Sequence, residues 1–260
     1  MKNWTFKRWN TILGWVVFVI AFITYLSTIE PNFSFWDCGE YISSAVKLEV
    51  THAPGAALFQ LVGAVVALFA FGDGQHYSLV INAMSALFSA FTILFLFWTI
   101  THLVRRLLNK EFENITIAEE IATLFAGAVG ALCFTFSDTF WFSAVEGEVY
   151  AMASMFIALI VWLITKWENE YLEKDNERWI ILLFFVIGLS IGVHMMCMLA
   201  LPAVCLIYYT RNYKFTWKSF LWANGITLVI LAIVFKIIFP VIMTLFGKSE
   251  IFFVNGLGLP

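Results

Sequence analysis

Residues 79–104 read LVINAMSALFSAFTILFLFWTITHLV, a run of 26 residues that contains no Asp, Glu, Lys or Arg. As an α-helix this run would be about 39 Å long, at 1.5 Å per residue. The hydrocarbon core of a bilayer is about 30 Å thick and takes about 20 apolar residues to cross. The run therefore predicts a transmembrane helix whose ends extend beyond the membrane core.

The rest of the chain has the same apolar character. Of its 260 residues, 62% are hydrophobic and 13% are charged, whereas soluble domains are about half apolar and a quarter charged. A water-soluble globule of this size could not bury so much apolar surface, so the composition excludes a soluble enzyme and a disordered chain. The net charge of −3 leaves no basic field for nucleic acid. We expect the lipid bilayer as a partner and no nucleic acid.

Seven apolar segments are interpreted as candidate transmembrane helices. We predict an all-α membrane bundle with spans at 11–29, 79–104, 118–136, 150–166, 179–193, 195–210 and 219–246. The run 56–71 is short for a span, and treating it as interfacial or re-entrant places nearly all Lys and Arg side chains on one side of the membrane. The positive-inside rule makes that side the cytoplasm, with the N-terminus inside and the C-terminus outside.

The long outer loop 30–78 carries two acids three residues apart. Asp37 and Glu40 share one face if this segment is helical, and Ser34 is placed to cap such a helix. Desolvation at the membrane interface and like-charge repulsion both raise carboxyl pKa values, so one of the two could act as a general base near neutral pH. The alternative is a solvated amphipathic turn without a chemical role.

A histidine follows Glu40 by twelve residues. His52 stands before Pro54 and Gly55, which mark a turn that would start the apolar run 56–71. Its side chain faces the acids, faces a lipid phosphate, or is ordinary polar surface. The chain contains no H-E-x-x-H or C-x-x-C zinc motif and no glycine-rich nucleotide loop.

Two further places along the chain carry polar side chains in or near predicted spans. Glu146 and Glu148 flank Gly147 close to the membrane surface, where acids are energetically unfavourable and often functional. A polar collar that caps the helices is the alternative. His194 lies between two apolar segments, and it either binds an anionic head group or hydrogen-bonds the backbone.

Three stretches together resemble the GT-C superfamily of membrane glycosyltransferases. The first, FWDCGEYISSAVKLEVTHAPGAALFQLVG at 35–63, is similar to a bacterial branch related to the protein O-mannosyltransferases, the DUF2723-type family or glycosyltransferase family 117. AVEGEVYAM at 144–152 and GLSIGVHMMCMLALP at 188–202 are similar to other characteristic stretches of that branch. The resemblance covers roughly residues 30–210.

The resemblance implies a GT-C-like fold and a sugar-transfer reaction. A sugar would pass from a polyprenyl-phosphate carrier to an acceptor hydroxyl of a protein or glycan, with protein Ser or Thr as the expected acceptor. The transfer would invert the anomeric centre at the non-cytoplasmic face, which in a bacterium is the periplasmic face of the inner membrane. Members often carry a large soluble domain after the membrane part, so this sequence resembles the N-terminal membrane module alone.

The resemblance also implies roles for single residues. Asp37 matches the acidic residue that acts as base or positions the acceptor, Glu40 is its helper, and His52 matches the histidine before the proline. The expected substrate-binding residues, with the donor phosphate assigned to the basic ones, are His52, Lys47, Glu146, Glu148 and His194. We expect no cofactor and no metal, and a divalent cation bound by the carboxylates is the alternative.

Two other classes of function fit an apolar bundle with outer acids. The first is a transporter or flippase for a lipid-linked substrate, which would carry acids midway along its spans. The predicted spans here are nearly free of acids. The second is a non-catalytic membrane scaffold, in which replacing Asp37 by Asn would change no transfer activity.

Overall fold

The computed structural model describes residues 2–53, 55–110 and 114–259. These residues form helices and no strand, and the prediction of an all-α membrane protein is confirmed. The chain divides into two compact units, the first ending at Ala200 and the second beginning at Leu201. Pro54 of the predicted turn lies outside the described residues.

The helices follow one another along the chain with short connections. In the first unit they are α1 (Lys2–Ser27), α2 (Cys38–Lys47), α3 (Ala57–Ala67), α4 (Tyr77–Leu108), α5 (Ile117–Thr135), α6 (Asp138–Ala144), α7 (Val149–Asn169) and α8 (Glu177–Ile191). Short 3₁₀ helices lie at Leu68–Ala70 and Met195–Ala200. The second unit contains α9 (Leu201–Asn212), α10 (Trp217–Ile233) and α11 (Phe239–Glu250), with π-helical turns at Val234–Ile238 and Ile251–Gly256.

Five helical segments of the described chain are long and apolar enough to cross a membrane. They are Phe6–Ser27, Tyr77–Leu108, Ile117–Thr135, Val149–Asn169 and Trp217–Gly256. Each coincides with one of the predicted spans. The run 56–71 forms α3 and the following 3₁₀ turn, an apolar helix over Ala57–Ala70. At 1.5 Å per residue it is about 21 Å long, which is short of the membrane core.

The other two predicted spans form shorter helices than expected. The segment 179–193 lies in α8, which has 15 residues and is about 22 Å long. The segment 195–210 is divided into a 3₁₀ helix and α9, which begins at Leu201. Pro202 stands at the second position of α9, where a missing N–H is tolerated in a new helix but would break a continuous one. Apolarity alone does not reveal this division.

Helix α4 is the centre of the first unit, and α1, α5 and α7 pack against it. Small side chains allow the helices to approach closely: Ala86 and Ala90 of α4 are fully buried. A Cβ atom on Gly127 of α5 would lie 2.5 Å from Cγ2 of Thr101. Because lipid provides no hydrophobic drive for helix association, such close contacts hold transmembrane helices together.

A buried ion cluster joins α4 to α7 near the end of α4 that carries Arg105 and Arg106. Oε2 of Glu168 lies 2.9 Å from Nε2 of His102, and Oε1 lies 2.7 Å from a guanidinium nitrogen of Arg106. The side chains of His102 and Glu168 are less than a tenth exposed. A buried carboxylate such as that of Glu168 needs charged or hydrogen-bonding partners, and these partners connect the two helices.

Candidate active site

The predicted acid pair lies at the start of α2. Trp36 has a left-handed backbone with φ 61°, and the chain turns there before the helix begins at Cys38 with Asp37 as its N-cap residue. The Asp37 side chain makes no capping hydrogen bond. Ser34 is therefore not the cap that the spacing predicts, because the turn at Trp36 separates it from the helix. The Asp37 carboxyl group stays free to act on another group.

Glu40 holds His52 by two hydrogen bonds. The backbone N–H of His52 donates to Oε1 of Glu40 at 2.7 Å, and Nδ1 of the ring lies 3.0 Å from Oε2. The backbone hydrogen bond and the ring contact lower the pKa of Glu40. The ring hydrogen bond to Glu40 raises the pKa of His52. The pair thus favours a carboxylate and an imidazolium, although both side chains are partly exposed.

Asp37 completes a triangle with these two residues. Its Oδ2 lies 3.9 Å from Nε2 of His52, and one ligand atom from each of Asp37, Glu40 and His52 lies within 4.8 Å of the others. Two carboxylates and an imidazole match the ligand preferences of Mn²⁺ and similar ions. A protonated His52 would offset one of the two carboxylate charges.

A second pair of acids is buried at the start of α7. Glu148 is the N-cap residue of α7, and Glu146 lies two residues before it. Only 2% of Glu146 and 6% of Glu148 are exposed. A Cβ atom on Gly147 would lie 2.8 Å from Oδ1 of Asn82 and 3.0 Å from Cγ1 of Ile42. Only glycine lets this loop fit between α2 and α4.

The electrostatic interactions join the two groups of acids into one site. Burial, followed by the charges of Glu146 and Asp37, raises the pKa of Glu148 to about 7, and the charge of His52 opposes this shift. Burial also raises the pKa of Glu146. The structure therefore brings together Asp37, Glu40, His52, Glu146 and Glu148, which the sequence places in two separate outer segments.

Tyr41 lies between the two groups of acids and was not predicted as a site residue. It is 5% exposed, and its ring centroid is 5.8 Å from that of His52 and 5.5 Å from that of Phe59. Burial, with smaller contributions from Glu148 and Asp37, raises the pKa of Tyr41 to about 12. Its hydroxyl group remains protonated at neutral pH. Its position one helical turn after Asp37 is the signal that could have identified it.

Asn82 is a second residue that the sequence analysis missed. Its Nδ2 donates to the backbone carbonyls of Glu30 and Asn32, at 2.7 and 2.8 Å. These bonds attach the start of the outer loop to the first turns of α4. A Cβ atom at position 147 would touch Oδ1 of the same side chain. A fully buried Asn near the end of a transmembrane helix was the available signal, because a polar side chain there needs partners.

Two predicted site residues are not in the central cluster. Lys47 ends α2 and lies 4.0 Å from Glu49, about 15 Å along the helix axis from Asp37. His194 contacts Tyr150, with 5.6 Å between the ring centroids. Its Nδ1 accepts a hydrogen bond from the backbone N–H of Met196 at 3.0 Å, and burial lowers the pKa of His194. His194 is thus a neutral imidazole.

Comparison with known proteins places this site within a described family. A family model described as the protein O-mannosyl-transferase TMEM260 N-terminal domain matches residues 37–217. A Dictyostelium discoideum protein named protein O-mannosyl-transferase tmem260 is 26% identical over 164 residues, 63% of this chain and 18% of that protein. The Mus musculus protein of the same name is 26% identical over 176 residues, 67% of this chain and 22% of that protein.

The matched region is a small part of these relatives. The chain spans about a fifth of the length of each of the two curated relatives. No solved structure matches.

Proposed function

The chain belongs to the family of the protein O-mannosyl-transferase TMEM260 N-terminal domain, and from this premise we propose that it is a membrane glycosyltransferase that transfers a sugar to protein. The family match begins at Asp37, one of the three residues of the acid and histidine cluster. The finer proposal is that the donor is a polyprenyl-phosphate-linked sugar and the acceptor is a Ser or Thr hydroxyl.

One observation carries the proposal. Asp37 presents a carboxyl group that is about half exposed, makes no capping hydrogen bond and lies beside a histidine held by Glu40. A Ser or Thr hydroxyl is a weak nucleophile until a base within hydrogen-bond reach takes its proton. A free, accessible carboxylate at the end of a membrane bundle is suited to that task.

The proposed transfer is a single displacement. The acceptor oxygen forms a bond to C1 of the sugar, its proton passes to Asp37, and the bond from C1 to the carrier phosphate breaks. The electron pair of that bond leaves with the phosphate oxygen. Attack from the side opposite the leaving group inverts C1. Glu40 acts by orienting His52 and keeping it protonated, so that a positive charge stands next to the anionic reactants.

The substrate-binding residues are proposed on electrostatic grounds. His52 is the cation of the cluster and is proposed to face the carrier phosphate. Glu148 interacts with Asp37 and, with Glu146, is proposed to face the substrate from the inner side. Lys47 and His194 remain weaker candidates for binding the donor phosphate. Lys47 lies at the far end of α2, and His194 is neutral.

We propose that the reaction needs no metal ion and takes place on the non-cytoplasmic face of the membrane. The cluster lies between α1 and α4, in the outer loop of the predicted topology. The family branch suggested by the sequence is bacterial, with an inner-membrane location, but both relatives come from eukaryotes and give that location no support. The apolar helices indicate a multi-pass membrane protein.

The decisive test replaces Asp37 by Asn in the full-length protein in membranes. Transfer of radiolabelled mannose from a polyprenyl-phosphate carrier to a Ser/Thr-containing protein should fall at least a hundredfold, as for loss of a general base. The matched control is Asp73→Asn, because Asp73 is another exposed acid of the same loop that binds a histidine, His76, at 2.8 Å. Wild-type transfer by the Asp37 variant would show that the site is not catalytic.

A further inference from the structure

The buried acids Glu146 and Glu148 are separated by a single residue, Gly147, in the loop before α7. Both residues are more than nine-tenths buried. Two ionised carboxylates have only acceptors and repel each other. Burial of both acids in one short loop therefore favours a state in which one of the two carries a proton.

The surroundings of Glu146 support the same conclusion. Its Oε2 is buried, and no amide, hydroxyl or ring N–H of the described residues donates to it. A buried acceptor without a donor is strongly unfavourable. The side chain of Ser34 also interacts with Glu146 and opposes the effect of burial on its pKa, but Oε2 still has no donor. A proton shared with Glu148 would supply that donor.

We propose that the Glu146–Glu148 pair keeps one shared proton in the working enzyme, and that this proton limits the negative charge facing the anionic donor beside Asp37. Glu148 is then a positioning residue, which acts on donor binding through its charge. This inference rests on the proposed function, because it concerns the charge of the donor at the same site.

The groups that surround the pair leave little positive charge to offset a second ionisation. Several titratable groups interact electrostatically with Glu148: Asp37 at the N-cap of α2, Cys38 and Tyr41 in α2, His52 after α2, and Tyr150 in α7. Glu146 also interacts with Glu30. His52 is the one cation in this set of described residues. Loss of the shared proton would add a second buried negative charge next to the donor phosphate.

The pH at which the pair loses its shared proton follows from the burial of Glu148. Since burial raises the pKa of Glu148 to about 7, the pair holds its proton below neutral pH and loses it above. The KM for a lipid-phosphate sugar should therefore rise about three- to tenfold between pH 6 and pH 8.5, as expected for one added charge at a partly screened distance. The kcat should change less than KM, because the acid pair does not touch the reacting atoms.

The test compares KM for the polyprenyl-phosphate sugar at the two pH values in the full-length protein. In Glu148→Gln, which imitates the protonated acid, the ratio of KM at pH 8.5 to KM at pH 6 should be close to one. Asp73→Asn should keep the wild-type ratio. If Glu148→Gln shows the same rise in KM as the wild type, the inference is wrong.

A measurement without transfer activity separates this inference from the proposed function. The infrared carbonyl band of a protonated carboxylic acid should be present in the wild-type protein at pH 6, and should be lost in both Glu148→Gln and Glu146→Gln. Absence of the band in the folded wild type would overturn the inference even if transfer is observed. Presence of the band in a protein that transfers no sugar would support the proton pair and reject the proposed function.

Discussion

Glu40 binds both the backbone and the ring of His52, at 2.7 and 3.0 Å, although the two residues are twelve positions apart. This contact holds His52, at the end of the segment 48–52, against α2. It also determines which charge stands next to Asp37. The catalytic proposal therefore depends on Glu40 through His52, even though Glu40 itself is not the proposed base.

The first prediction concerns Glu40→Gln and the pH dependence of transfer. Because the ring contact with Glu40 raises the pKa of His52, loss of the carboxylate should lower it, and His52 should lose its proton at a lower pH. The alkaline limb of kcat/KM should move toward acid. A pH profile of transfer checks this, and an unmoved limb would show that the charge of His52 is not needed.

The second prediction concerns metal removal. A protonated His52 would place its positive charge between Asp37 and Glu40. On our proposal, dialysis against EDTA should therefore leave transfer within about twofold of its starting rate, whereas loss of an essential metal would remove several kcal/mol of stabilisation. The measurement is initial rate before and after chelation. Loss of activity that returns with Mn²⁺ or Mg²⁺ would instead identify Asp37, Glu40 and His52 as metal ligands.

The third prediction concerns the close contact at Gly147. A Cβ there would lie within 3.0 Å of Ile42, Ile81 and Asn82, so Gly147→Ala should destabilise the protein by about 1–3 kcal/mol. Thermal unfolding in detergent measures this. Gly188→Ala is the matched control, because nothing lies within 4 Å of that position in α8, and it should be neutral or stabilising. Equal effects of the two changes would show that the loop is not held tightly.

The fourth prediction concerns the buried cluster between α4 and α7. Replacing Glu168 by Ala removes the buried carboxylate shared by His102 and Arg106. Because this leaves the buried ring of His102 without its partner, the free energy of unfolding should fall by about 1–3 kcal/mol. Glu49→Ala, which disturbs only the exposed contact with Lys47 at 4.0 Å, should change it by less than about 1 kcal/mol. Similar unfolding temperatures for both variants would contradict the assigned role of the cluster.

The fold class and the strongest transmembrane helices were predictable from hydrophobic length alone. The run 79–104 lies inside α4, and four other predicted spans coincide with helices of membrane length. The two shortest predicted spans were not predictable in the same way. A proline at position 202 and the end of α8 at Ile191 divide that region, and an apolar composition is the same on both sides of such a division.

The candidate site was predictable in its chemical groups but not in their arrangement. Contact of His52 with Asp37 and Glu40 was one of three alternatives for its side chain, and the structure has the three residues together. The contact between that group and Glu148 depends on how α2 and α7 pack against the N-terminal end of α4. Residue spacing along the sequence does not reveal this packing. Tyr41 and Asn82 were missed because their importance comes from burial between elements distant in sequence.

The bonds from Asn82 to the carbonyls of Glu30 and Asn32 have a consequence for biogenesis. Asn82 is synthesised 50 residues after Asn32, so the outer loop leaves the ribosome before its anchor exists. Helix α2, which carries Glu40, cannot reach its final position until α4 has entered the bilayer. Assembly of the proposed active site is thereby coupled to insertion of the central helix, and a nascent chain halted before α4 should lack an ordered acid and histidine cluster.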